Sequence, residues 1–154
     1  MASVTAVEQL TIRRARIDDL DVVLELCAEY CAADGHPFDP GRARAGVEPL
    51  LLDDTHGVLL LATIDEQPCG YGVVTWGWSI EAGGLDVVLD ELYTRTRGEG
   101  IGSRLVEAIE EECRTRDVRR IFLETERRND GARRLYRRHG YVDDDSIWMS
   151  KELR

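Results

Sequence analysis

Apolar residues along this chain switch between helical and strand spacing, and the switches mark its elements. Leu10 to Arg13 predicts a first strand. Asp18 is a suitable N-cap for a helix whose Leu20, Val23, Leu24, Cys27 and Cys31 recur at helical spacing. The run Asp34 to Pro40 (D-G-H-P-F-D-P) breaks it, and a second helix is predicted from Gly41 to Leu52. Val58 to Ile64 and the aromatic, β-branched run Gly70 to Trp78 flank a turn at Asp65 to Pro68, the pattern of a hairpin. Gly83-Gly84 turns the chain into Leu85 to Tyr93.

From Gly100 a helix places Ile101, Leu105, Ile109 and Cys113 on one face, with Glu110 to Glu112 largely outside it. Arg120 to Thr125 predicts a buried strand, and Asn129 caps a helix with a stripe of Ala132, Leu135, Tyr136 and His139. Tyr141-Val142 and Ile147 to Met149 are expected to pair antiparallel around Asp143 to Asp145. The order β-α-α-β-β-β-α-β-α-β-β describes a mixed α/β domain (α+β, mixed sheet) over residues 1–154, without repeats or a linker.

Composition narrows the class. No apolar run approaches the ~20 residues of a membrane span, and M-A-S-V-T-A-V-E has neither the basic region nor the apolar core of a signal peptide. A cytoplasmic protein is expected. Residues 1–94 hold 5 basic against 17 acidic side chains, and residues 95–154 hold 15 against 13. The chain therefore has an acidic half and an arginine-rich half, and its net charge of −10 disfavours nucleic acid. Cys27, Cys31, Cys69 and Cys113 form no C-x-x-C pair and read as reduced, mostly buried thiols.

The chemistry concentrates in Arg97 to Gly102, R-G-E-G-I-G, between a strand and a helix. Alternating glycines let backbone N–H groups turn toward a ligand, and the helix N-terminus behind them favours an anion. A nucleotide P-loop needs G-K-[ST] after its glycines, whereas Gly102 precedes Ser103-Arg104. A dinucleotide fingerprint needs a third glycine where Ser103 stands, although Glu124 lies where a ribose-binding acid could sit.

The remaining chemistry is acyl-coenzyme A. Leu89 to Gly102 resembles the coenzyme loop of the GNAT superfamily of N-acetyltransferases, with Arg97, Gly100 and Gly102 in place. Leu123 to Tyr141 resembles its second block, matched at Asn129, Ala132, Leu135, Tyr136, Gly140 and Tyr141. The link Thr94-Arg95-Thr96 is shorter than usual for the family. The resemblance implies attack of a substrate amine on the thioester of acetyl-CoA in a ternary complex. Backbone groups of Arg97, Gly98, Glu99, Gly100, Ile101, Gly102 and Ser103 would hold the pyrophosphate. Leu92, Tyr93 and Thr94 would pair with pantetheine, and Asn129 would add a coenzyme contact. Tyr136 would protonate the leaving thiolate, a task suited to a phenol. Glu124 and Glu91 rank above Asp90 as the base that accepts the ammonium proton, with an ordered water as the alternative. Asp90 and Glu91, adjacent on one strand, point to opposite faces. No metal is implied.

His36-Pro37-Phe38, the run Tyr71 to Trp78 and Glu81 are candidate walls of the acceptor pocket. Acidity of the first half favours a cationic acceptor: a polyamine, an aminoglycoside-like amine or a peptide amine. The resemblance is also compatible with a homodimer. Two other classes stay open at this stage, a non-catalytic acyl-CoA-binding module and a partner-binding domain built on Trp76 and Trp78.

Overall fold

The computed structural model describes residues 9–154, which cluster into two compact units. The amino-terminal stretch read for a leader lies outside the described residues. The first unit, ending at Glu124, carries β1 (Leu10–Arg14), a 3-10 turn (Ile17–Asp19), α1 (Leu20–Asp34), α2 (Pro40–Leu52), β2 (Gly57–Ile64) and β3 (Gln67–Thr75). It continues with β4 (Trp78–Ser79), β5 (Gly84–Thr94), α3 (Ile101–Thr115) and β6 (Arg120–Phe122). The sheet runs β1-β2-β3-β5, all antiparallel; β4 pairs with the start of β5, and β6 joins β5 in parallel. No helix among the described residues is long and apolar enough to cross a membrane.

The expected helix cap moves by one residue. Asp18 lies within the 3-10 turn, and Asp19 is the N-cap of α1. The reason is local: the Asp19 carboxylate accepts from the Arg16 amide at 2.7 Å and from both Arg13 terminal nitrogens at 2.8 and 2.9 Å, so it is pinned where the chain turns. Helix α1 ends at Gly35, whose φ of +73° suits a residue without Cβ. Asp39 caps α2 conventionally, accepting from the Arg42 amide at 3.1 Å, with Pro40 at the first helical position.

Strand alternation sorts the core. Leu59, Leu61, Tyr71 and Val73 face α1 and α2, where they meet Leu20, Val23, Leu26, Cys27, Val47 and Leu51. The other face meets α3 through Ile101, Leu105, Val106, Ile109 and Cys113, the stripe predicted from spacing with Val106 added. Gly72 permits the close approach: a Cβ there would stand 2.7 Å from the Ile109 methyl carbon Cδ1. The β2–β3 turn needs only Asp65 and Glu66, at φ +49° and +63°, so Gln67 and Pro68 already belong to β3. All four cysteines are free thiols; Cys27, Cys69 and Cys113 are buried and Cys31 is half-buried.

The second unit, Thr125–Arg154, carries α4 (Asp130–Arg138). Asn129 caps it, accepting from the Ala132 amide at 3.1 Å. The expected strand pair at Tyr141-Val142 and Ile147 to Met149 is absent from the described residues, and residues 139–154 carry no strand. Its apolar members lack a face to cover: Val142, Ile147 and Met149 are 88%, 89% and 91% exposed. Asp143 instead folds back on α4, accepting from Arg137 at 3.1 and 2.6 Å. The expected strand at Arg120 to Thr125 likewise shortens to its first three residues.

Candidate active site

The site begins with a break in the register of β5. Val74 pairs with Leu89, but Val73 pairs with Glu91, so Asp90 is the extra residue of a β-bulge. In a regular strand Leu89 and Glu91 would share a face. The bulge reverses the downstream parity: Leu89 is buried with Val74, Glu91 lies with Val73 on the α1 side, and Tyr93 follows it opposite Tyr71. Asp90 is exposed and Glu91 is half-buried, so the two adjacent carboxylates occupy different surroundings.

Around Glu91 the side chains are mostly aromatic. The Tyr71 hydroxyl donates to Glu91 Oε2 at 3.4 Å, and the rings of Tyr71 and Tyr93 lie 6.3 Å apart. Tyr30 meets Tyr93 edge-on at 6.2 Å, and Phe38 packs against the same cluster. Burial, and then the charge of Asp90, push the Glu91 carboxyl above its ordinary range, while the Tyr71 hydroxyl pulls it back. Burial also pushes Tyr30 up to about 12, keeping its hydroxyl protonated.

Beyond the bulge, among the described residues, β5 runs on without a strand on its outer side. Its ladder with β6 covers only Asp86 to Val88, so Leu89 to Thr94 extend past Phe122. Leu92, Tyr93 and Thr94 form this free end. The short link that follows is anchored by Arg95, whose role no motif in the sequence signals. Its amide donates to the Cys69 carbonyl at 2.8 Å and its Nη1 to the Pro68 carbonyl at 2.9 Å. Its guanidinium also holds Glu29 on α1, so it fixes both where β5 ends and where the loop starts.

The loop itself is a turn of exposed residues. Gly98 and Gly100 have φ of +80° and +79°, and a Cβ at either would meet open space. The backbone, not crowding, is what requires glycine there. Gly100 is the N-cap of α3 and offers no side chain to its first turn, so the amides of Ile101 and Gly102, which precede the Arg104 amide bonded to the Gly100 carbonyl at 3.1 Å, can face an anionic group. Arg97 and Glu99 are exposed, whereas Ile101 is 2% exposed and can offer a ligand only its backbone. An ester of pyrophosphate fits such a cradle.

The other expected residues fall in three places. Asn129 and Tyr136 belong to the second unit, where Tyr136 is buried and meets Tyr141 edge-on at 5.7 Å. Glu124 is exposed, past the end of β6. Glu81 is exposed beside Arg120, at 3.6 Å. Trp76 and Trp78, the candidate partner-binding pair, part company. Trp76 lies under the Arg116 guanidinium at 4.5 Å with its indole N–H donating to the Asp54 carbonyl, and Trp78 is 76% exposed. A separate cleft of about 450 Å³ is lined by Arg13, Arg14, Leu51, Asp54 and Leu59. Those arginines are already paired, Arg13 with Asp19 and Arg14 with Glu112 and Asp54.

The site thus rests on a mixed sheet whose bulged strand feeds a glycine turn and the helix behind it. The chain belongs to the Acetyltransferase (GNAT) family, whose model matches residues 23–141. Among curated proteins no sequence relative matches. An integron cassette protein from the mobile metagenome of Cole Harbour Salt Marsh is 25% identical, with a TM-score of 0.84 over 100% of this chain and 96% of its own. An aminoglycoside acetyltransferase from an uncultured soil metagenomic sample, solved with sisomicin, is 16% identical with a TM-score of 0.77, covering 96% of this chain and 98% of its own. The ribosomal-protein-alanine N-acetyltransferase of Brucella melitensis biovar Abortus 2308 is 22% identical with a TM-score of 0.71, covering 94% and 98%. The last two share the fold.

Proposed function

We propose that this protein transfers an acetyl group from acetyl-CoA to a primary amine by direct attack in a ternary complex, in the cytoplasm. The observation that carries the reading is the bulge at Asp90, which sets a half-buried carboxylate on the strand that leads into the glycine loop. Backbone groups from Arg97 to Ser103 hold the pyrophosphate, and Leu92, Tyr93 and Thr94 align the pantetheine arm, with Asn129 as a further contact.

Glu91 is the base. A general base works best with a pKa near the working pH, and burial moves Glu91 in that direction. The exposed Glu124 lacks that support and becomes the second choice. The ammonium form of the acceptor loses a proton to Glu91, the free amine attacks the thioester carbonyl, and the coenzyme thiolate leaves. Tyr136 supplies the proton that the thiolate takes up, and the second proton shed by the nitrogen as the amide forms restores the phenol.

A cationic acceptor suits the acidic and aromatic surroundings of Glu91: Asp90 beside it, with Tyr30, Tyr71 and Tyr93. The fold neighbours include one that is an aminoglycoside acetyltransferase by name, held with sisomicin, and one named for a protein alanine. The test has two stages. Acetyl-CoA at 100 times its Kd should stabilise the protein by about 2.7 kcal/mol in thermal unfolding. Thiol release is then followed with spermidine, tobramycin, an alanine-leading peptide and a neutral amine. Absence of a thermal shift overturns cofactor use, and a shift without thiol release from any amine leaves an acyl-CoA-binding module.

A further inference from the structure

Tyr71 is fully buried at 0% exposure, yet its hydroxyl is aimed at a carboxylate rather than at backbone. Its position follows from the bulge. In an unbroken register, with Asp90 paired to Val73, Glu91 would turn toward α3 and Leu92 would stand opposite Tyr71 instead. The groups facing Glu91 come from every element around it: Tyr71 on β3, Cys27, Tyr30 and Cys31 on α1, and its neighbour Asp90 on β5. The Cys27 thiol neighbours the Tyr71 hydroxyl, but the hydroxyl's hydrogen bond runs to Glu91 Oε2.

We infer that Tyr71 is a positioning residue for the reaction: its buried hydroxyl engages one oxygen of Glu91 and leaves the other for the incoming amine. This rests on the assignment of Glu91 as the base. Cys27 and Tyr30 are pushed up by burial and stay protonated through the working range, which leaves Tyr71 as the donor that sets the carboxylate's orientation.

Glu91 can be titrated directly by carboxyl-carbon NMR in the full chain, with its signal identified by loss in Glu91→Gln. In Tyr71→Phe, which keeps the ring and removes only the hydroxyl, the midpoint should rise by about half to one pH unit, the worth of one ordinary hydrogen bond, in keeping with its 3.4 Å length. The acidic limb of kcat/KM should rise with it. A folded Tyr71→Phe protein with an unmoved midpoint overturns the inference. Should that variant fail to fold, 3-fluorotyrosine at position 71 keeps ring and hydroxyl, donates more strongly and should lower the midpoint; no movement there overturns it equally. The assignment of the base is judged separately: full activity in Glu91→Gln removes it, whatever Tyr71 does to the titration.

Discussion

The Arg95 guanidinium holds the Glu29 carboxylate through two nitrogens, Nη2 at 2.7 Å and Nε at 3.0 Å, and so ties the end of β5 to the middle of α1. Glu29 also accepts from the Tyr93 hydroxyl at 3.2 Å, and Arg95 reaches Glu25 at 3.3 Å. An arginine in so short a link therefore connects the free end of the strand, the loop and the wall of the aromatic cluster.

Arg95→Gln should cost about 1 kcal/mol at pH 7. The pair is only partly shielded from water, which holds the effect near that of one ordinary hydrogen bond. Arg95 keeps the Glu29 carboxyl below its usual range. A carboxyl depressed in the folded state stabilises above its unfolded pKa and loses that contribution as pH falls through the folded value. Urea unfolding should thus show the full gap between wild type and Arg95→Gln at pH 7, closing below about pH 4. A gap of the same size at pH 3.5 would mean that Glu29 ionisation is not what Arg95 supports.

Asp86 and Arg120 predict an asymmetry. Asp86 is 7% exposed and accepts from Arg120 at 3.1 and 2.7 Å, joining β5 to β6, and Arg120 holds its carboxyl below the usual range. Arg120→Ala leaves a buried carboxylate unpaired, whereas Asp86→Asn leaves a guanidinium that water can reach. Arg120→Ala should therefore lower Tm more than Asp86→Asn at pH 7. The difference should shrink toward pH 4 as the stranded carboxyl takes up a proton. Equal Tm losses at pH 7 would contradict the account.

Gly98→Ala and Gly100→Ala each force a Cβ into the left-handed region at a cost of about 1–2 kcal/mol. The space around them is open, so the variants should fold. The thermal shift given by acetyl-CoA should fall in both, because relief of the strain moves the loop amides. Calorimetry that finds an unchanged Kd would separate the loop from the cofactor.

Tyr136→Phe should lower kcat by ~10²-fold or more while the KM for acetyl-CoA changes little, since a general acid acts on the leaving thiolate rather than in binding. An unaltered kcat would remove Tyr136 from that role.

Much of the first unit was legible because its signals are local. The α3 face follows from apolar residues at 3.6-residue spacing, and Gly98 and Gly100 stand where the backbone needs φ near +80°. The bulge at Asp90 was not legible, since alternation in sequence assumes an unbroken register and nothing in L-D-E-L announces the extra residue. Tyr71 read as one more aromatic in a strand, and its partner depends on that unseen shift. Arg95 looked like one arginine among many, because its partners lie 26 to 70 residues away in sequence. The expected strand pair at Val142 and Ile147 had the right alternation, but a strand also needs a face to cover, which periodicity alone does not supply.

The bulge at Asp90 has a consequence for how this strand can change. It divides β5 into two segments indexed independently, the first to the apolar face under α3 and the second to Glu91, the proposed base, and the glycine loop. Straightening the strand with Asp90 kept and paired to Val73 would swap the facings of Glu91, Leu92 and Tyr93 at once, turning Glu91 toward α3 and Leu92 toward α1. Exchanging a single side chain after the bulge alters the chemistry and leaves the ladder before it intact. On the proposed reading, substrate preference can thus drift by substitution along Leu92 to Thr94, while loss of the bulge with Asp90 retained is an all-or-none event.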